Sequence, residues 1–246
     1  MKLKKEPTGP PKKISRINAE HETKKFQDKI FNLQNVLFAE KKHSLLIILQ
    51  GMDASGKDGT IRHVFNCVNP QGCGVKSFKK PTEEEKLHDF LWRIHYHTPS
   101  KGMIQIFNRS HYEDILFPAV HKLLTDKIIE KRLEAINQFE KNLKENGTIL
   151  IKFFLNISKK EQTKRLKERL TITHKKWKYD PADTNEEKYW DEYMKVYETI
   201  FDNSRYSNPW HIIPSDAKWY RNYIIAKSLA ETLESLHMKY PALIKK

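Results

Sequence analysis

Cysteine is nearly absent from this chain of 246 residues: there are two, Cys67 and Cys73, with no CxxC spacing. That excludes a disulfide framework and a thiolate metal site, and fits reduced thiols. Long apolar runs are missing as well. The longest aliphatic stretch is five residues, Leu45 to Leu49, against the roughly 20 that a membrane-crossing helix needs. The opening MKLKKEPTGPPKKISR is basic and lacks the apolar stretch of a secretory signal, so a cytoplasmic location is the expectation. His88, His95, His97, His111 and His121 follow no metal-ligand spacing. Helix-surface and packing roles are expected for them. No Ser/His/Asp or Cys/His set suggests nucleophilic catalysis.

Acidic residues are also in deficit: 31 Asp and Glu against 45 Lys and Arg, a net charge of +14. Such a surplus speaks of partners and not of fold, and points to nucleic acid, acidic membrane or phosphate-rich substrates. It is unevenly spread. Residues 158–178 hold nine Lys and Arg against two Glu, half the surplus of the chain, whereas residues 183–202 hold seven acids against two lysines. A localised anion site is the simplest reading. With 38% hydrophobic and 31% charged residues the chain reads as globular, long enough for one domain with a full core. Residues 1–17 read as a flexible basic arm, and 18–246 as a single domain.

The most informative segment is SLLIILQGMDASGKDGT, residues 44–60. A short strand ends at Gly51, and Gly56 and Lys57 follow five residues later, before a helix. Strand, glycine loop, lysine and helix together form a cradle for phosphates. Glycine at 51 and 56 lets backbone N–H groups approach an anion, the helix N-terminus adds its dipole, and Lys57 adds a full charge. The loop Gly51, Asp53, Ala54, Ser55, Gly56, Lys57, Asp58 and Gly59 is therefore the expected phosphate or nucleotide site. Two acids in an anion-binding loop imply a metal ion between them and the phosphate. Asp53 is the first choice of ligand. Asp58, where Ser or Thr is usual, is either a second ligand or an acid that stabilises the helix dipole.

Hydrophobic periodicity places helices near 18–42, 82–98, 117–146, 159–171, 184–204 and from 216 onward, and a loop at 171–183. Strands are expected at 44–50, 74–78, 103–107, 148–157 and 210–214. Thr82 and Ser158 read as helix caps, with Glu161 in a capping box. Alternation of strand and helix predicts a parallel sheet covered on both faces, with ligands at the carboxyl strand ends.

Those ends carry further candidates. Asn108 and Arg109 come directly after the third strand, with Glu113 and Asp114 next. Arg109 has the chemistry to stabilise a phosphoryl group in flight, or it pairs with Glu113. Arg165 and Arg169 share a helix face and read as a phosphate clamp, unless Glu161 pairs with Arg165 and the nearby lysines form a solvated face. Lys76, Lys79, Lys80, Arg93, Lys176 and Lys178 are expected to form a basic track.

The set GMDASGKDGT, KPTEEEKLHDFLWR, FNRSHYED, NISKKEQTKRLKERL and PWHIIPSDAKWYRN resembles the second family of polyphosphate kinases, over residues 18–236 and in the family's order. GMDASGKDG with SHYED is similar to its class III subgroup, which phosphorylates both AMP and ADP. The resemblance implies a P-loop kinase of thymidylate kinase-like α/β fold, with a five-stranded parallel sheet flanked by helices and a helical lid at about 158–183. It implies a polyphosphate:AMP/ADP phosphotransferase using magnesium or manganese, with inorganic polyphosphate and adenine or guanine nucleotides as partners, no nucleic acid or membrane, and a homodimer or homotetramer. By match, Asp53, Lys57, Arg109, Arg165 and Arg169 take functional positions. Asn108 stands where the family often has Asp, and Thr173-His174 where a proline is common. Two alternatives remain: an ATP-dependent nucleoside-monophosphate kinase, and a nucleic-acid-binding P-loop protein.

Overall fold

The computed structural model describes residues 2–179, 185–204 and 208–242. Among these, five strands, β1 (Ser44–Gln50), β2 (Cys73–Ser77), β3 (Ile104–Asn108), β4 (Thr148–Asn156) and β5 (Trp210–Pro214), form one parallel sheet of order β2-β3-β1-β4-β5. The helices are α1 (Arg16–Glu40), α2 (Lys57–Val64), α3 (Glu83–Lys86), α4 (Trp92–His95), α5 (Glu113–Val120), α6 (Asp126–Glu145), α7 (Lys159–Thr171), α8 (Trp190–Ser204) and α9 (Lys218–Ser235). Every residue of β1 is buried. Central strands of a doubly covered parallel sheet need apolar side chains on both faces. Leu46 and Ile48 join Phe107, Phe154, Ile136 and Phe201 in one layer. Leu45, Ile47 and Leu49 join Ile30, Leu37, Ile225 and Leu229 in the other. Each such side chain contributes roughly 1.5–3 kcal/mol on burial.

The register puts Leu49 opposite Asn108 of β3 and Phe153 of β4. The ends of β1 and β3 are therefore adjacent, with the loop from Gly51 beside the turn at Arg109. No helix among the described residues is long and apolar enough to cross a membrane.

Three expectations need correction. The helix expected over 82–98 is two short pieces, α3 and α4. Thr82 does cap α3, in a complete box with Glu85, but the Asp89 side chain accepts from Leu91 N at 2.9 Å and diverts the backbone into a turn. The helix expected over 117–146 begins earlier and is broken, because Lys122 takes a left-handed conformation (φ 54°) between α5 and α6. The arm expected to be loose is docked over residues 2–8. Leu3 is buried, its N–H donates to Glu198 at 2.8 Å, Lys4 pairs with Asp191 at 3.2 Å, and Thr8 O accepts from Asp216 N at 2.8 Å. One leucine and a few specific bonds hold a segment whose composition reads as coil. The expected loop at 171–183 contains a 3-10 turn, Thr173–Lys178, and residues 180–184 lie outside the described residues.

Candidate active site

The loop Gly51–Gly56 leaves β1 and enters α2. Gly51 has φ +145°, and a Cβ there would meet Leu155 O at 2.8 Å and Ser55 Oγ at 2.9 Å. Gly56, at the N-cap of α2, has φ +108° and makes no side-chain cap. The first N–H groups of α2 therefore remain available to an anion. Lys57 follows. It is 8% exposed, and Nζ donates to Gly51 O at 2.7 Å and Met52 O at 3.2 Å. Burial, and then the nearby Arg109, lower its pKa to about 8, against the opposing pull of Asp53 and Glu113.

From the end of β3, Arg109 donates Nη2 to Asp53 Oδ1 at 2.5 Å. Its own backbone is left-handed (φ 64°), a conformation that costs a non-glycine residue about 1–2 kcal/mol. A bond from Arg109 N to Leu49 O at 3.0 Å holds it there. Glu113 lies 3.9 Å from the guanidinium and accepts from Gln50 Nε2 at 3.1 Å. Asp53 is thus the stronger partner of Arg109, although the Glu113 pair also exists. Burial pushes the Asp53 carboxyl up, but Arg109, Lys57 and Arg169 outweigh it and hold the group below its ordinary value. Three cations from three elements surround one carboxylate. Four buried polar atoms line the same region, Gln50 Oε1, Ser55 Oγ, Thr60 Oγ1 and Gln162 Oε1, and have no hydrogen-bond partner among the described residues. Buried orphans are rare in folded proteins, and four of the eight among the described residues fall beside Lys57 and Arg109, as a candidate ligand site would require.

Asn108, expected at this strand end, donates to Asp58 Oδ1 at 2.9 Å, while Lys178 of the 3-10 turn donates to Asp58 Oδ2 at 2.8 Å. Both lower the Asp58 pKa against the burial that raises it. The acid after Lys57 is thereby engaged with the cationic segment. Arg169 donates to Lys178 O at 3.4 Å.

The other expected site residues sort differently. Arg165, expected to clamp a moving phosphate, is 8% exposed and spends its guanidinium on protein. It bonds Glu161 at 2.9 Å, Ala54 O at 3.1 Å, Ser55 O at 3.2 Å, Ser215 O at 2.9 Å and Asp216 O at 2.7 Å. It braces the loop against the turn after β5. Glu161 meets Arg165 and does not close the expected capping box; Ser158 N donates instead to Asp216 Oδ1 at 2.7 Å. Arg93 also leaves the track: it is 5% exposed and bonds Asp114 at 2.9 Å and Lys79 O at 2.9 Å. Lys79, Lys80 and Lys176 are exposed and Lys76 is half-buried, on either flank of the loop. A shallow depression on the far face of α7 carries Lys159, Lys160, Lys164 and Lys167. Gln162, whose Nε2 donates to Asp53 O at 3.1 Å, and Arg221 were not foreseen as loop contacts. Arg221 sits in the quoted PWHIIPSDAKWYRN, but no spacing rule points it at the loop.

Among the described residues no cluster of three or more His, Cys, Asp or Glu could hold a metal alone. The donors present are nonetheless oxygen atoms, the Asp53 carboxylate and the unpartnered Ser55 and Thr60 hydroxyls. They suit a hard cation that takes most of its ligands from phosphate and water.

The model for the family described as Polyphosphate kinase 2 matches residues 13–241. The chain belongs to the polyphosphate kinase 2 family. It is 49% identical over 210 residues to the AMP/ADP-polyphosphate phosphotransferase of Meiothermus ruber, covering 85% of this chain and 79% of that relative. It is 43% identical over 227 residues to the ADP-polyphosphate phosphotransferase of Rhodopseudomonas palustris, with 87% and 78% covered. The fold matches the crystal structure of Polyphosphate Kinase 2 from Arthrobacter aurescens TC1 with a TM-score of 0.92 at 40% identity, over 95% of this chain and 84% of that one. These likenesses carry the P-loop kinase reading of the five-stranded sheet. Within this family member, the loop 51–57 and the turn at Arg109 are the elements that the sheet brings together.

Proposed function

We propose that this polyphosphate kinase 2 family member transfers the terminal phosphoryl group of inorganic polyphosphate to AMP and ADP, giving ADP and ATP, and that it catalyses the reverse. The observation that carries this reading is the convergence of Lys57, Arg109 and Arg169 on Asp53 beside an uncapped helix N-terminus.

The chemistry requires little covalent help. A nucleotide phosphate oxygen, already anionic, attacks the terminal phosphorus; the bridging P–O bond breaks, and the chain leaves one residue shorter with the electron pair on its new terminal oxygen. No proton needs to be removed from the nucleophile. Positioning and charge stabilisation suffice, which fits a site of Lys, Arg and backbone N–H groups. Lys57 exchanges its loop carbonyls for phosphate oxygens. Arg109 presents its fork to the group in transit, where charge spreads over three oxygens. Arg169 and Lys178, with Lys76, Lys79, Lys80 and Lys176 on the flanks, hold the polyanion. A divalent ion, magnesium or manganese, would be held by Asp53 and would supply further neutralisation of charge. Adenine or guanine nucleotides are the acceptors.

Turnover of AMP with polyphosphate and no ATP tests the proposal. Formation of ADP and then ATP supports it. AMP phosphorylation only when ATP is supplied would identify a conventional monophosphate kinase. DNA or RNA binding that polyphosphate does not displace would identify a nucleic-acid-binding protein.

A further inference from the structure

Arg221, in the first turn of α9, is 1% exposed and lies against the phosphate loop from behind. Nη1 donates to Ser55 O at 3.3 Å, and Nε and Nη2 donate to Asn222 Oδ1 at 3.2 and 2.9 Å. A Cβ on Gly56 would fall 1.9 Å from Nη1, and one on Gly59 3.4 Å from Nη2. The guanidinium therefore occupies the space that glycine leaves open under the loop. Its partners, a carbonyl and an amide, are both neutral. Arg165 shares Ser55 O at 3.2 Å, but carries Glu161 at 2.9 Å as counter-charge. Arg221 has no carboxylate partner among the described residues.

Burial, and then Arg165, bring its pKa down to about 10, so it stays charged at neutral pH. A buried, unpaired cation is costly to a fold. Arg165 alone already ties the loop to the turn after β5, so bracing does not explain a second guanidinium. What Arg221 adds is an uncompensated positive charge one peptide behind Gly56. We infer that Arg221 is a positioning residue of the phosphate site, a buried cation that reaches the loop through Gly56 and whose counter-charge is the substrate's phosphate. This rests on the reading of the loop as a phosphate cradle.

Calorimetric titration of the full chain with inorganic tripolyphosphate tests it, in wild type, Arg221→Gln and Arg221→Lys. Gln keeps an amide donor at the position of Nε, toward Asn222 Oδ1, and loses both the charge and the reach to Ser55 O; Lys keeps the charge and loses the fork. Gln should weaken binding about tenfold, the scale of one charge acting across protein of effective dielectric near 20, and Lys should bind within a few-fold of wild type. Because the charge is buried, the ratio of wild type to Gln should stay constant between low and high salt, whereas exposed lysines lose their effect. Thermal unfolding should show a smaller tripolyphosphate-induced rise in Tm for Gln, with unliganded Tm no lower than that of Lys. Gln binding as tightly as wild type, while Lys binds no better, overturns the inference alone. Failure of the wild-type chain to bind tripolyphosphate overturns the phosphate reading, and the inference with it.

Discussion

Two charged clusters sit within a few residues of each other in the chain, and they are built differently. Below β4, Lys152 donates to Glu140 at 2.7 Å and to Tyr112 Oη at 2.9 Å; Tyr112 Oη donates to Glu140 at 2.8 Å, and His111 lies at 3.3 Å. All four are at most 1% exposed. Above β1 and β3, Asp53 faces Arg109, Lys57 and Arg169, and four neighbouring polar atoms have no partner among the described residues. The lower cluster balances its charge, Lys152 against Glu140, and bonds its charged groups internally; His111 Nδ1 alone of its polar side-chain atoms has no partner among the described residues. The upper one gathers three cations on one carboxylate and keeps several oxygens without partners among the described residues. A closed set of charges is framework; an open set is a binding site. The two are joined, since Arg109 belongs to one and His111 and Tyr112, two and three residues on, to the other. The buried cluster anchors the turn that holds Arg109 in its left-handed conformation.

The largest effect should come from breaking the closed set. Lys152→Met removes the lysine counter-charge of the buried Glu140, leaving it only Tyr112 and His111, and should cost about 3–5 kcal/mol of stability in urea unfolding. Adding Glu140→Leu should restore most of it. A single variant that unfolds like wild type would show that the cluster is not framework. The acid limb of stability offers a second reading. Burial raises the Glu140 pKa, but Lys152 and then His111 bring it down to about 2. Its contribution is full above the ordinary value of 4.5 and is lost as pH falls from there toward 2. Burial lowers the His111 pKa below 6.5, against the pull of Glu140. The unfolded chain therefore takes up that proton first, and stability also falls as pH drops below 6.5. His111→Gln should flatten the upper part of that curve only.

Breaking the open set should instead cost rate and spare the fold. Lys57→Ala and Arg109→Ala should each lower kcat by at least about a hundredfold, the scale of a lost charge-stabilising donor, with unfolding midpoints near wild type. Near-normal turnover in either folded variant would remove it from the reaction. Wild-type kcat/KM should decline above about pH 8, where Lys57 deprotonates in the free protein. Bound polyphosphate raises that pKa again, so binding near pH 8 should take up protons, measurable as a buffer-dependent heat.

Local signals separate what the sequence shows from what only the fold shows. β1 and β5 have the bounds expected of them, because apolar runs stopped by turn residues are local signals. The loop was legible for the same reason: its chemistry lies within a seven-residue spacing. Arg165 was not. Its helical spacing allowed both a clamp and a pair with Glu161, and the choice was made by Ser215 and Asp216, 50 and 51 residues away. Arg93 likewise bonds Asp114 across the fold, a partner that no spacing in the sequence indicates. Lys152 reads as an interruption in an apolar strand, and Glu140 as the polar residue in an apolar stripe of α6, Ile129, Leu133, Ile136 and Phe139. Each is odd alone, and only the sheet shows that they answer each other.

The smallest effect should mark the outer edge of the open set. Lys178 reaches Asp58 at 2.8 Å, with side chains 28% and 58% exposed, so the pair is well solvated. Exposed pairs contribute about 0.2–1 kcal/mol and are screened by salt. Lys178→Ala should therefore leave stability unchanged within about 0.5 kcal/mol. It should raise the KM for polyphosphate a few-fold in low salt, and the difference should vanish at about 0.5 M salt, where the Debye length falls to a few ångströms. Arg221→Gln, buried under the same loop, should keep its penalty over that range. If both variants lose their effect together, the charge behind the loop is screened like a surface lysine, and burial does not separate framework from site in the way the two clusters imply.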